Sequence, residues 1–265
     1  MFSMEHNYRF DLHAGADLGI IEEDNNRGDS TQSGRPMCGR YTLHSRAEFI
    51  AERFGVLVPT TLSGRFNIAP SQQVLAVRLN PEVHERELVA LRWGLIPFWA
   101  DDPSIGNRMT NARSETVAEK PSFRQAFKSQ RCLLVADGFY EWQETNGKKQ
   151  PFFFTLKDGR PFGFAGLWER WEKQGEPIES CTILTTDANE IMAAIHDRMP
   201  AIIPPEEYSL WLDPSEHDPM KLTGLLRPFN SDEMTAYPVS TFVNNAKHDS
   251  AECIEPVERQ STLPM

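Results

Sequence analysis

"RCLLVADGFYEWQETNGKKQPFFFTLKDGRPFGFAGLWERW", residues 131–171, decides how this chain folds. Three runs rich in aromatic and β-branched residues are separated by "NGK" and "DGR". Asn-Gly and Asp-Gly tolerate the positive φ of tight hairpin turns, so the stretch reads as consecutive antiparallel strands. "SCTILTT" after it adds a fourth run, and "QVLAVRLN" and "ELVALRWGLIP" before it form a further strand pair across the polar "PEVHER". Helical periodicity is confined to short segments. "RAEFIAERFGV" places Ala47, Phe49, Ile50 and Phe54 on one face and stops at Gly55. "DANEIMAAIHDRMP" predicts a helix with Asp187 as N-cap, Glu190 as its capping-box partner and Pro200 beyond its end. "AIIP", a short helix around "PEEYSLWL" and a last strand near "MTAYPVS" follow. The expected class is α+β, mainly an antiparallel, barrel-like β-sheet with flanking helices.

Composition narrows the function classes. In 265 residues, 40% hydrophobic and 10% aromatic content is enough for a packed core. No apolar run reaches eighteen residues and the first thirty lack a secretory pattern, which predicts no membrane association and a cytoplasmic protein. The four cysteines, Cys38, Cys132, Cys181 and Cys253, form no CxxC pair, so neither a disulfide framework nor a zinc ribbon is expected. The net charge of −11 is carried by the ends: residues 1–36 hold seven acids against three arginines, and residues 204–265 eleven acids against four basic residues. The balanced middle keeps a nucleic-acid partner open, to be decided by local arginine placement. "EEDNNRGDSTQSGRP" has almost no apolar residues, and 1–36 is expected to be a disordered or non-native extension.

Several polar residues stand where chemistry is plausible. Strand alternation puts Glu141 on one face with Val135, Asp137 and Phe139, among aromatic neighbours that would favour its neutral form; an edge glutamate reaching solvent satisfies the same spacing. His196 falls in the last turn of the expected helix, where it serves either as a C-terminal cap or, with Asp197 and Arg198, as an acid/base. Asn111 and Arg113 in "MTNARSETV" are placed on a loop entering a helix, with Asn111 either a donor to sugar or phosphate or an N-cap. Trp93 and Trp99 in "RWGLIPFWA" suit either base stacking or the core. No Walker loop, GxGxxG or HExxH is present, and no metal or cofactor is expected.

Taken in order, "MCGRY", "RFNIAP", "RWGLIP", "NARSET", "ADGFYEW", "FAGLWE", "TILTTDAN" and "IHDRMP", followed by "YPVS" and "VNN", closely resemble the SOS response-associated peptidase family, also described as abasic-site processing proteins. The resemblance implies a compact α+β barrel-like domain over 37–245, with 246–265 as a tail. It implies that Cys38 becomes the amino-terminal residue once Met37 and what precedes it are absent, and that it cross-links to abasic sites in single-stranded DNA as a thiazolidine. Asn111, Glu141 and His196 would be catalytic. Arg40, Arg113 and Arg198 would contact phosphates, and Asn67, Pro70, Trp93 and Trp99 would line the DNA groove. A monomer, nucleoid-associated when bound to DNA, is expected, with an associated self-maturing peptidase activity. Two rivals remain: a cysteine peptidase using Cys38 and His196 on peptides, and a non-enzymatic single-strand-binding domain.

Overall fold

The computed structural model describes residues 39–59 and 62–257; Cys38 and the expected extension lie outside the described residues. The elements run β1 (Arg40–Leu43), α1 (Ala47–Phe54), β2 (Arg65–Ile68), β3 (Gln73–Leu79), β4 (Arg86–Trp93), β5 (Asn111–Arg113), α2 (Arg124–Ser129), β6 (Arg131–Ala136) and β7 (Gly138–Thr145). There follow β8 (Lys148–Leu156), β9 (Phe162–Trp171), β10 (Ile178–Asp187), α3 (Glu190–Ala193), β11 (Arg198–Pro200), β12 (Ile202–Ile203), α4 (Tyr208–Leu212), α5 (Pro219–Gly224) and β13 (Met234–Pro238).

Strands β10, β4, β3, β6 and β9 pair in that order, and β9 pairs back to β10, closing a barrel. Its pairs are antiparallel except β4 with β10. A second, wholly antiparallel sheet has the order β13-β8-β7-β1-β2. The α+β, barrel-like class expected from the sequence is therefore the observed one. Paired residues share a sheet face, so the registers of Trp93 with Cys181, Cys181 with Trp168, and Leu134 with Phe164 put these side chains on one face, the barrel interior. Tyr41 reaches from the second sheet to that interior, with its ring 5.3 Å from Trp93 and 5.8 Å from Phe164. The outer face is covered by short helices: Phe54 of α1 stacks on Tyr208 of α4 at 5.2 Å, and Trp211 Nε1 donates to Cys132 O at 2.8 Å. Each such fully buried aromatic contributes about 2–3 kcal/mol by area burial.

The stretch 131–145 is two strands, not the single strand its alternation suggested. The chain bends at Asp137, which leaves the barrel strand β6 and enters β7 of the other sheet. Asp137 is buried; its carboxylate accepts from the backbone N–H of His44 and, at 2.7 Å, of Ser45, and from Ser45 Oγ at 2.5 Å. Gly138 is required next, because a Cβ there would lie 2.2 Å from the Phe153 ring. The parity linking Glu141 to Val135 is therefore lost, while that to Phe139 holds. Helix α1 ends as expected, with Gly55 in the left-handed conformation at φ 66°. Residues 246–257, expected as tail, belong to the fold: Asp249 accepts from the Phe66 and Asn67 backbone N–H groups and pairs with Arg65 at 3.4 Å.

Candidate active site

Strand register brings Glu141 to the barrel end. Arg40, the first residue of β1, pairs with Tyr140, the residue before Glu141, and Tyr41 pairs with Phe139. Phe139 stacks on Phe154 at 5.1 Å and meets Phe164 edge-on at 5.9 Å, so its face of β7, shared by Glu141 and Gln143, is the face turned to the barrel. Glu141 is 5% exposed, which removes the edge-strand, solvent-facing alternative.

Two residues on, Gln143 Nε2 donates to Ala194 O at 3.0 Å. That bond places the turn preceding His196 against the same end of β7. His196 is not in a helix: β10 continues through Asp187, which pairs with Arg198, so the N-cap role passes to Asn189, whose side chain accepts from Met192 N at 3.1 Å. The helix lasts one turn and His196 follows it, its N–H reaching back to Met192 O at 2.9 Å. Its side chain is 9% exposed. Nδ1 lies 3.0 Å from both the Arg198 backbone N–H and an Asp197 carboxylate oxygen. The backbone N–H calls for an acceptor at Nδ1 and the carboxylate for a donor, so these two contacts hold the ring in place without assigning its proton to either nitrogen.

Asn111 and Arg113 form a short strand instead of the expected loop or cap. Asn111 pairs with Ile183 and Arg113 with Thr185, parallel, while β11 pairs along the other edge of β10 at Thr185 and Asp187. The end of β10 thus carries Asn111–Arg113 on one side and Arg198 on the other. Asn111 is half-buried and Arg113 exposed, without an ion pair among the described residues. Arg198 is different. Its guanidinium takes Glu115 through both Nη atoms, at 2.5 and 2.9 Å, Asp187 at 2.8 Å and Thr185 O at 2.7 Å. Burial pushes the Glu115 carboxyl up, and the Arg198 fork together with a backbone N–H and Ser114 more than offsets this, holding it below its ordinary value. Compensated by two carboxylates, Arg198 is not the open phosphate fork expected of it.

Three further expectations are corrected. Asn67 is fully buried and its amide is occupied: Oδ1 accepts from Arg40 at 2.8 Å, and Nδ2 reaches Val243 O, Asn245 O and His248 O at 3.1, 3.0 and 2.7 Å. It clasps the C-terminal segment and lines no groove. Arg40 also donates to Val243 O at 3.0 Å and Asn244 O at 3.3 Å, so its fork is directed at this clasp. Trp93 is buried in the barrel, with Nε1 on Thr110 O at 2.9 Å. Trp99 is 42% exposed beside Phe98 at 52%, and Pro70 is half-buried before Ser71. The sequence reading missed Gln143 and Glu115, and the roles that Asp137 and Asp187 take in the structure. Gln143 was within reach by alternation from Glu141, but the positions of Glu115 and Asp187 around Arg198 follow only from strand pairing.

The described thiols do not compete as nucleophiles. Cys132, Cys181 and Cys253 are all buried, and burial pushes each above its ordinary value. No helix among the described residues is long and apolar enough to cross a membrane.

A profile described as "SOS response associated peptidase (SRAP)" matches residues 37–246. The abasic site processing protein YoqW of Bacillus subtilis is 47% identical over 224 residues, covering 83% of this chain and 99% of that protein. The abasic site processing protein HMCES of Gallus gallus is 38% identical over 207 residues, covering 69% of this chain and 61% of that one. A crystal structure of a Bacteroides thetaiotaomicron protein superposes with a TM-score of 0.75 at 28% identity, covering 83% of this chain and all of that one. This chain belongs to the SOS response associated peptidase family.

Proposed function

We propose that this protein processes abasic sites in single-stranded DNA by joining them covalently through Cys38 as its amino-terminal residue, with 37–245 as the catalytic unit. An α-amine has a pKa of about 7.7–8.0 against about 10.4 for lysine, so part of it is unprotonated at neutral pH. It adds to the open-chain aldehyde, and loss of water gives an imine. The Cys38 thiol then adds to the imine carbon while the nitrogen takes the proton, closing a thiazolidine; the net balance is amine, thiol and aldehyde in, ring and one water out. In a longer chain the Cys38 nitrogen is an amide and cannot form the imine, so the reactive form begins at Cys38, by initiation at Met37 followed by removal of that methionine or by self-processing.

Glu141 would open the sugar and shuttle protons, His196 would polarise or protonate the sugar oxygen, and Asn111 would orient the aldehyde. The observation that carries this reading is the Gln143–Ala194 bond: it joins the strand of Glu141 to the turn of His196, with Arg40 paired to Tyr140, the residue before Glu141. The relatives named as abasic site processing proteins support the substrate.

The test is denaturing electrophoresis and intact mass after incubating a chain that begins at Cys38 with a single-stranded oligonucleotide containing one abasic site. A denaturant-stable adduct heavier by the oligonucleotide less one water is expected, and none from Cys38→Ala. Persistence of the adduct in that variant, or after acylation of the α-amine, overturns the reading. A cysteine peptidase would keep cleaving peptides after acylation, and a mere binding domain would release all DNA in denaturant.

A further inference from the structure

The segment between β4 and β5 is a loop with tied ends. Leu95 N donates to Met109 O at 3.0 Å, and Gly94 abuts Gly106 so closely that a Cβ on either would lie 2.5–2.6 Å from the other's carbonyl oxygen. Gly94 has φ +129° as well, so its lack of a side chain is needed twice. The Arg92 guanidinium rests against this contact, its Nη1 only 2.8 Å from where a Gly106 Cβ would stand. Nη1 donates to Gly94 O at 3.2 Å and Nη2 to Asn107 Oδ1 at 2.6 Å. Asn107 Oδ1 also accepts from Ser71 Oγ at 3.1 Å. Ser71 itself holds φ 69°, a conformation a serine adopts at a cost, with its N–H on Trp93 O at 2.8 Å.

This arginine differs from its neighbours in charge balance. Arg78 meets Glu87 and Glu179 at 2.7 and 2.9 Å, Arg65 meets Asp249, and Arg198 meets Glu115 and Asp187. Arg92 meets only neutral oxygens; among the described residues no carboxylate lies within ion-pair distance. A guanidinium fixed in place, half-buried and without a counter-charge is prepared for an anion. Burial already pushes its pKa down, a cost that a bound anion would relieve. Exposed Arg108 follows Asn107 and adds positive charge, opposed by Asp102, whose carboxyl the Ser104 hydroxyl and backbone N–H, and to a smaller extent Arg108, hold below its ordinary value.

Position then selects the anion. The loop rooted at Arg92 carries exposed Trp99 and leads directly into Asn111. Arg92 pairs with Ser180 and Asn111 with Ile183 on β10, three residues or about 10 Å apart along the strand and on opposite faces of the sheet. Trp93 faces the barrel interior, so Arg92 faces out. We propose that Arg92, held by Gly94 and Gly106 and flanked by Asn107, is a second phosphate-binding point that takes a backbone phosphodiester of the bound strand, away from the reactive sugar. The proposal rests on the abasic-site reading above.

Reversible binding of single strands carrying a tetrahydrofuran abasic analogue, which has no aldehyde, tests it by fluorescence anisotropy across a salt series. Two lengths are compared, about 4 and about 15 nucleotides. Arg92→Gln should weaken the long strand by about 5–10-fold, flatten its salt slope by about 0.7, and leave the short strand unchanged. Asn107→Asp guards against a folding defect: an aspartate still accepts from Arg92 and Ser71 but neutralises the guanidinium, so the same loss on the long strand is expected with thermal stability kept. Equal binding of the long strand by wild type and Asn107→Asp, or equal losses on both lengths, overturns the subsite. If the wild type binds neither strand, it is the DNA reading that fails.

Discussion

Gln143 donates from its side-chain amide to the carbonyl of Ala194, 3.0 Å away, and this one bond bridges the β7 strand of the outer sheet and the turn that follows β10 of the barrel. Glu141 and His196 each lie two residues from its ends, which makes their approach sensitive to it. Gln143→Ala should slow adduct formation at saturating DNA by about 5–10-fold, since misplacing reacting groups by a fraction of an ångström is costly. Affinity for an unreactive abasic analogue should stay within about twofold. An unchanged rate would separate Gln143 from the chemistry.

Arg40 and Asn67 bind the C-terminal segment, so their loss should be felt first in stability. Arg40→Gln should lower unfolding free energy by about 1–3 kcal/mol in urea titrations, because Asn67 Oδ1 and the carbonyl of Asn244 lose their donor and the carbonyl of Val243 loses one of two. The salt slope of DNA binding should not move. A slope flattened by about 0.7 would instead make Arg40 a phosphate contact.

The two other arginines should behave oppositely. Arg113, exposed and without an ion pair, should on replacement by Gln flatten the salt slope by about 0.7 and leave the melting temperature alone. Arg198→Gln should destabilise by about 1–3 kcal/mol, discounted for the half-exposed Glu115 and the largely exposed Asp187, and leave the slope as it was. Calorimetry beside the same anisotropy series reads both, and the reverse pattern would show that DNA displaces Glu115 from Arg198.

Glu169 gives a pH dependence of known sign. It is 3% exposed, and burial, partly offset by the Phe98 backbone N–H, raises its carboxyl from 4.5 to about 7. Between those values the folded protein holds a proton that the unfolded chain has released, so stability contributed by this group is full below pH 4.5 and declines as pH rises to about 7. The decline is about 3 kcal/mol at most. In urea titrations from pH 5 to pH 7.5, Glu169→Gln should remove this component; parallel curves for wild type and variant would refute it.

Much of the fold was legible because hairpin chemistry is local. "NGK" and "DGR", the alternation of β3 and β4, and the Gly55 stop to α1 each concern residues close in sequence. The failures share a physical origin. Periodicity carried the "DANEIMAAIHDRMP" helix too far in both directions, since pairing with β5 and β11 keeps residues up to Asp187 extended and returns the chain to a strand at Arg198. Asn111 was read as loop or cap because a three-residue strand paired in parallel with a distant segment leaves no periodic trace.

By itself the sequence determined the class of the fold, the family and the residues to be examined, because turn propensity, side-chain alternation and ordered motifs are properties of neighbouring residues. Tertiary structure decided which of those residues are open to a ligand. Asn67 and Trp93 are equally polar or aromatic on paper whether they face DNA or the core, and Arg92, Arg113 and Arg198 have the same charge. Only strand register and the position of carboxylates brought from elsewhere in the chain distinguish a compensated guanidinium at Arg198 from uncompensated ones at Arg92 and Arg113.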